Sequence, residues 1–164
     1  MNLFILDAQP EVAARFNNDF HVRKIILEAV EMMGLAYDDG RFEPLPSVVY
    51  SRHVNHPMSK WVRRSRQNFD WTLIHTNALL DEFTFRRPVP KEHAYRSKVN
   101  WICNNIPLKN LPDIGMTDPP RCFGIYHEQI ETSGDIVYDY RRYYMMAKRH
   151  IAKWTRREIP EWWV

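Results

Sequence analysis

The strongest constraint on the fold is a helical repeat of apolar residues near the amino end of the sequence. From Val22 to Met33, apolar side chains recur at i, i+3, i+4, i+7, i+8 and i+11, and Gly34 follows. This 3.6-residue period predicts an amphipathic helix that is capped by Asp19 and ends at Gly34.

Further segments keep the same period. They run from Trp61 to Arg87 with a break at Asn68 and Asp70, around His93 to Cys103, and from a cap at Ser133 or Asp135 to Trp154. Residues 38–56 have no sustained period, which predicts a long loop before a helix that starts at Pro57. We therefore predict a mostly α protein, a compact single-domain helical bundle over residues 1–164. The apolar run LFIL at residues 3–6 predicts a short N-terminal extended arm.

Composition excludes several classes of protein. The 164 residues are 45% hydrophobic and 26% charged, as in an ordinary globular domain. The chain has 5 Gly and neither a GxGxxG nor a GKS or GKT motif, which disfavours P-loop and Rossmann proteins. Cys103 and Cys122 lie far apart without a CxxC motif, which disfavours a zinc ribbon or disulfide framework and fits a reducing compartment. His53 and His56 have an HxxH spacing that could serve a metal, but no HExxH, CxxC or DxD motif completes the ligand set, so we expect no metal and no cofactor. No apolar run approaches the roughly 18 residues of a membrane span, and we predict a cytoplasmic protein without a membrane partner.

One face of the first periodic helix carries a polar stripe. His21, Lys24, Glu28 and Glu31 follow one another at spacings of 3, 4 and 3 residues. Such a stripe is often a solvated face with a Lys–Glu pair of small energetic value. It also suits a catalytic site in which Lys24 is a nucleophile or charge clamp, Glu28 a general acid or base, and His21 a bordering group.

The stretch SRHVNHPMSKWVRRSRQNFDW, residues 51–71, predicts a basic surface beside aromatic residues. A polyanion is the expected partner, because free N–H groups at a helix start and clustered Lys and Arg favour phosphate. A second basic strip lies on the last predicted helix. The candidate DNA-phosphate contacts are His56, Lys60, Arg63, Arg64, Asn68, Arg141 and Lys148. The alternative is an ordinary solubilising face.

Two resemblances follow from these motifs. The sequence resembles a group of uncharacterised phage proteins that share HVxKxILE and NHPxxxWxRxSxxN, here beginning at His21 and Asn55. The order of LFILD, HVRKIILEAVEM, NHP and EFTFRR, with the ending YRRYYMMAKRHIAKW, is distantly similar to the small phage and bacterial pyrimidine-dimer DNA glycosylases of the endonuclease V type.

That second resemblance implies an all-α fold without a metal and base-flipping chemistry on DNA. It also implies that an N-terminal amine attacks the sugar C1′ to form a Schiff base, with help from a Glu on the first helix. This chain departs from the pattern in two ways. The bulky Asn2 is expected to keep Met1 in place, and the nearest acid after HVRK is Glu28.

Three functions therefore remain open. The first is a phage-type DNA enzyme acting on a base, as a glycosylase/lyase or a base-modifying enzyme, in the host cytoplasm if it is phage-encoded. The second is a nucleotide- or modified-base-processing transferase or hydrolase in which His21, Lys24, His56 and Arg63 bind phosphate. The third is a non-catalytic nucleic-acid-binding module, which predicts salt-sensitive binding without turnover.

Overall fold

Six α-helices dominate the described residues, 1–37 and 53–164, of the computed structural model. They are α1 (Pro10–Phe16), α2 (Asp19–Gly34), α3 (Pro57–Val62), α4 (Arg66–Phe85), α5 (Arg96–Asn104) and α6 (Ile136–Lys148). Short 3₁₀ turns follow α2 and α6, and these described ranges contain no strand. The mostly α fold predicted from the periodicity is confirmed. Most of the loop predicted for residues 38–56 lies outside the described residues.

Helix α2 has the predicted length but a different cap. The side-chain oxygen of Asn18, one residue earlier than predicted, accepts the His21 N–H at 2.9 Å. The Asp19 carboxylate has other partners, because it accepts the Thr155 hydroxyl at 2.6 Å and lies 3.2 Å from the Arg86 guanidinium. Asp19 therefore ties the start of α2 to the C-terminal tail and to the end of α4.

The helix predicted from Trp61 to Arg87 is two helices, and its break falls earlier than Asn68 and Asp70. Helix α3 ends at Val62, and Ser65 caps α4 by accepting the Asn68 N–H at 3.1 Å. The carboxylate of Asp70 instead pairs with Arg66 at 2.7 Å on the surface of α4.

The N-terminal arm crosses the core. Helices α1 and α2 pack on α4, and the predicted extended run Leu3 to Leu6 is buried among them. At the other end of the chain, Trp162 and Trp163 fold back on the ring of Tyr144 in α6. This packing brings Met1 against α2 and the end of α6 near the start of the chain. No helix in the described ranges is long and apolar enough to cross a membrane.

Candidate active site

A cleft of about 450 Å³ opens where the N-terminal arm, α2, the start of α3, residues 121–127 and the end of α6 meet. Its charged and polar lining comes from Met1, Asn2, His21, Lys24, Glu28, His56, Arg121, Cys122, His127, Tyr143 and Lys148. The cleft therefore gathers the three predicted catalytic residues with two of the predicted phosphate contacts.

Glu28 lies at the inner wall of this cleft, with its side chain 14% exposed. Its Oε2 atom accepts the Asn2 N–H at 2.9 Å and lies 3.9 Å from the nitrogen of Met1. Its Oε1 atom lies 3.7 Å from Nζ of Lys24, one helical turn earlier. Two cationic groups thus flank one carboxylate, which suits that carboxylate for proton transfer at an amine.

The arm that delivers Met1 is held in a strained conformation. Phe4 has a φ of 48°, in the left-handed region that bulky side chains rarely adopt, at a cost of roughly 1–3 kcal/mol. The side chain of Asn2 fixes this turn, because its oxygen accepts the Phe4 N–H at 3.2 Å and its amide donates to the Cys122 carbonyl at 2.8 Å. Strain of this kind, held by surrounding contacts, is typical of functional sites.

His21 is a neutral group with a fixed tautomer. The Tyr144 hydroxyl oxygen accepts the Asn18 N–H at 3.0 Å and lies 2.6 Å from Nδ1 of His21. Among the residues that the structure describes, Nδ1 is the one acceptor in reach of the Tyr144 O–H, so the ring proton lies on Nε2. Burial, together with the positive charges of Lys148 and Lys24, lowers the pKa of His21 to about 3.

His56, which also lines the cleft, has the same tautomer. It caps α3, with Nδ1 accepting the Met58 N–H at 3.2 Å, which leaves the proton on Nε2. Burial and then the charge of the Met1 ammonium lower the pKa of His56. The residue predicted as an anion contact at a helix start is therefore a neutral donor in the cleft wall.

Lys148 extends from the last turn of α6 over two aromatic rings. Its Nζ lies 5.6 Å from the ring centre of Phe4 and 5.5 Å from that of Tyr143, within the range of cation–π attraction. Burial, and then the nearby charge of Lys24, lowers the pKa of Lys148. Lys148 was predicted as a DNA-phosphate contact, and the fold brings it into the same cleft as Glu28.

The basic residues of α3 lie in a neighbouring depression rather than in the cleft. Lys60, Arg63 and Arg64 line it together with Trp61 and Asp118, and Pro57 belongs to both hollows. The guanidinium of Arg63 donates to the carbonyls of Val54 at 2.9 Å and Ser59 at 3.2 Å. Lys60 and Arg64 are exposed and available to a polyanion.

Two of the predicted phosphate contacts have structural partners instead. Asn68 is fully buried, and its amide bonds Trp61 and Thr117, so the assignment of Asn68 to a phosphate contact is wrong. Arg141 donates to the Leu6 carbonyl at 2.8 Å and pairs with Asp7 at 3.1 Å, which holds the end of the N-terminal arm on α6.

Several cleft residues gave no signal in the sequence. Arg121 and Phe123 lie just before a 3₁₀ helix, Gly124–Gln129, that contains His127. The position of this segment depends on contacts with α6, such as the 2.7 Å pair of Arg121 with Asp139. The sequence predicts a long loop over residues 106–121, and loops of that length are often functional, but the loop does not indicate which side chains enter the cleft.

No protein-family model matches the sequence, and neither a curated protein nor a solved structure shows significant similarity to it. Within the described ranges, no three His, Cys, Asp or Glu side chains are grouped as metal ligands.

Proposed function

We propose that this protein is a DNA enzyme that acts on a base through an amine in the cleft, as a glycosylase/lyase. The observation that carries the proposal is the 3.9 Å approach of the Met1 nitrogen to Oε2 of Glu28 inside a cleft lined by cations and aromatic rings. An amine next to a carboxylate is the arrangement that Schiff-base chemistry at a sugar carbon requires. The distant resemblance to pyrimidine-dimer glycosylases points to the same reaction.

The proposed reaction uses these two groups and one proton from water. The lone pair of the uncharged Met1 amine forms a bond to C1′, and the bond from C1′ to the base breaks with its electrons going to the departing base, which takes a proton from water. Glu28 accepts the proton that the attacking nitrogen loses and returns it to O4′ as the bond from C1′ to O4′ breaks, which leaves an iminium between protein and DNA. Lys24, half exposed and 3.7 Å from Glu28, holds this carboxylate in place rather than attacking the sugar.

The surroundings of the cleft suit a flipped nucleotide. Phe123 and Tyr143 line the cleft as buried rings that stack on each other, 4.9 Å between centres, and they give a flipped base an apolar wall to pack against. Exposed Lys60 and Arg64 in the next depression extend the positive surface along which a DNA backbone would run.

A nucleotide-processing enzyme is the second candidate, because Lys24, Lys148 and Arg121 give the cleft more cations than its single carboxylate. It predicts that mononucleotides raise the melting temperature and that duplex DNA does not. The DNA proposal predicts the reverse.

Borohydride reduction tests the proposal, because it converts an iminium into a stable amine that joins protein to DNA. We expect a covalent product with duplex DNA that carries an abasic site, and with at least one duplex that carries a damaged or modified base. The glycosylase/lyase proposal fails if none of these substrates gives a covalent product while the folded protein binds them.

A further inference from the structure

The proton on Nε2 of His21 has no acceptor among the described residues. The His21 side chain is 5% exposed, its Nδ1 is occupied by Tyr144, and the ring lines the cleft. Nε2 of His21 is not one of the buried side-chain atoms that lack a partner, so this N–H is reached from the cleft and can donate to a molecule bound there. The open cleft is the one place from which a ligand can supply the acceptor.

Lys148, like the N–H of His21, lacks an anionic or accepting partner within the described part of the chain. Among residues 1–37 and 53–164, Lys148 forms no ion pair with a carboxylate, and its Nζ lies 5.6 and 5.5 Å from the ring centres of Phe4 and Tyr143. Phe4 joins the two groups, since its ring centre lies 4.5 Å from that of His21. The ionisable groups that face them are Met1, Lys24, Glu28, His56, Arg121 and His150. Met1, Lys24 and Arg121 are cations, and Glu28 is the one carboxylate among these groups, so an anionic ligand would relieve the remaining repulsion.

We propose that the cleft binds a phosphate group between the Nε2–H of His21 and the ammonium group of Lys148, with Tyr144 as the positioning residue that keeps the proton on Nε2. Phosphate fits because it only accepts hydrogen bonds and carries the charge that this wall lacks. A neutral imidazole with a proton on Nε2 donates to a phosphate oxygen without itself being charged. The inference rests on the proposed function only in that the phosphate would belong to the substrate.

The phosphate has two possible sources, the diester of a DNA strand and the monoester of a free nucleotide. Titrations with the dinucleotide TpT, thymidine 5′-monophosphate and unphosphorylated thymidine separate them, followed by the NMR shift of the His21 Nε2–H. We expect a phosphorylated ligand to bind about tenfold or more tightly than thymidine, the scale of one charge-assisted hydrogen bond. Preference for TpT assigns the site to DNA, and preference for the monophosphate assigns it to free nucleotides. Equal binding of all three ligands, or of none, overturns the proposal.

Lys148→Met tests the cation, with Lys109→Met as its matched control. Lys109 is an exposed lysine that lies outside both the cleft and the neighbouring depression. We expect Lys148→Met to remove the advantage of phosphorylated ligands over thymidine and Lys109→Met to keep it. If both variants retain the advantage, Lys148 does not bind the phosphate and the proposal is wrong.

Tyr144→Phe tests the positioning role, with Tyr140→Phe as its control. Tyr140 is as buried as Tyr144, but its hydroxyl donates to the Pro120 carbonyl at 2.6 Å instead of to His21. We expect nitrogen-15 spectra of the wild type to place the proton of His21 on Nε2, and Tyr144→Phe alone to mix the tautomers and weaken phosphate binding. A wild-type spectrum with the proton on Nδ1 overturns the assignment even if Tyr144→Phe fails to fold. These measurements need no turnover, so phosphate binding without borohydride trapping would reject only the proposed function.

Discussion

At the scale of single residues, the proposed chemistry depends on the carboxylate of Glu28. Glu28→Gln keeps the size of the side chain but removes the charge that accepts a proton from the Met1 amine, 3.9 Å away. We expect the rate of borohydride trapping to fall on the order of 10²-fold, the usual scale for a lost acid/base group, with little change in DNA binding. Glu31→Gln, one turn further along α2 and outside the cleft, is the control and should trap at the wild-type rate. Equal rates in the two variants would remove Glu28 from the mechanism.

Asn68 lies in a basic stretch of the sequence, but its role in the fold is structural. Its buried amide donates to the Trp61 carbonyl and to Thr117 at 2.8 Å each, and so joins α4 to the loop before the cleft. Asn68→Ala leaves those groups without partners, and we expect unfolding free energy to drop by about 2–3 kcal/mol in urea titrations. Asn77→Ala on the same helix removes a bond to the Leu73 carbonyl at its partly exposed edge and should cost less than about 0.5 kcal/mol. Similar losses for both would refute the anchoring role.

The candidate site could be predicted from the sequence where its residues share one helix. His21, Lys24 and Glu28 follow the helical period, and the structure places all three on the cleft. Lys148 was recognised only as part of a basic strip, because its approach to Phe4 depends on how α6 packs against the N-terminal arm. Contacts between residues so far apart in the chain leave no local pattern.

At the scale of elements, a buried ion-pair network fastens α4 to the C-terminal tail. The Glu82 side chain, 6% exposed, accepts from Arg86 at 2.9 Å and from Arg157 at 2.6 Å. Glu82→Gln leaves the Arg157 guanidinium without its carboxylate and Arg86 with Asp19 alone, 3.2 Å away, and we expect a loss of about 3 kcal/mol in unfolding free energy. The neighbouring Asp81, 74% exposed and paired with Arg96, is the matched control, and Asp81→Asn should cost less than about 0.5 kcal/mol. If Glu82→Gln lowers the unfolding free energy no more than Asp81→Asn does, the network does not stabilise the fold.

Helix positions were predicted well where the apolar period is long and unbroken. The period ending at Gly34 gave the correct end of α2, whereas the break between α3 and α4 was placed too late. That break depends on Ser65, whose hydroxyl caps α4 by accepting the Asn68 N–H. In the sequence, Ser65 looks like any small residue on a helical face, so its role as a cap could not be predicted.

At the scale of the whole molecule, buried neutral histidines make stability depend on pH. His75 is fully buried against Trp71, and burial lowers its pKa to about 3, as in His21. The unfolded chain binds protons near pH 6.5 and the folded one does not, so stability is lost as the pH falls from about 6.5 towards 3. We expect His75→Gln to reduce the slope of unfolding free energy by up to about 1.4 kcal/mol per pH unit in this window. An unchanged slope would mean that His75 titrates alike in both states.

The location of the covalent adduct tests the central claim most directly. After borohydride reduction with abasic-site DNA, peptide mapping by mass spectrometry identifies the nitrogen that is joined to the sugar. We expect the adduct on the α-nitrogen of Met1, which lies 3.9 Å from Glu28. We also expect two residues added before Met1 to abolish the adduct in a protein that still folds. An adduct on Lys24, Lys148 or a surface lysine, or one that persists in the extended protein, would contradict the account.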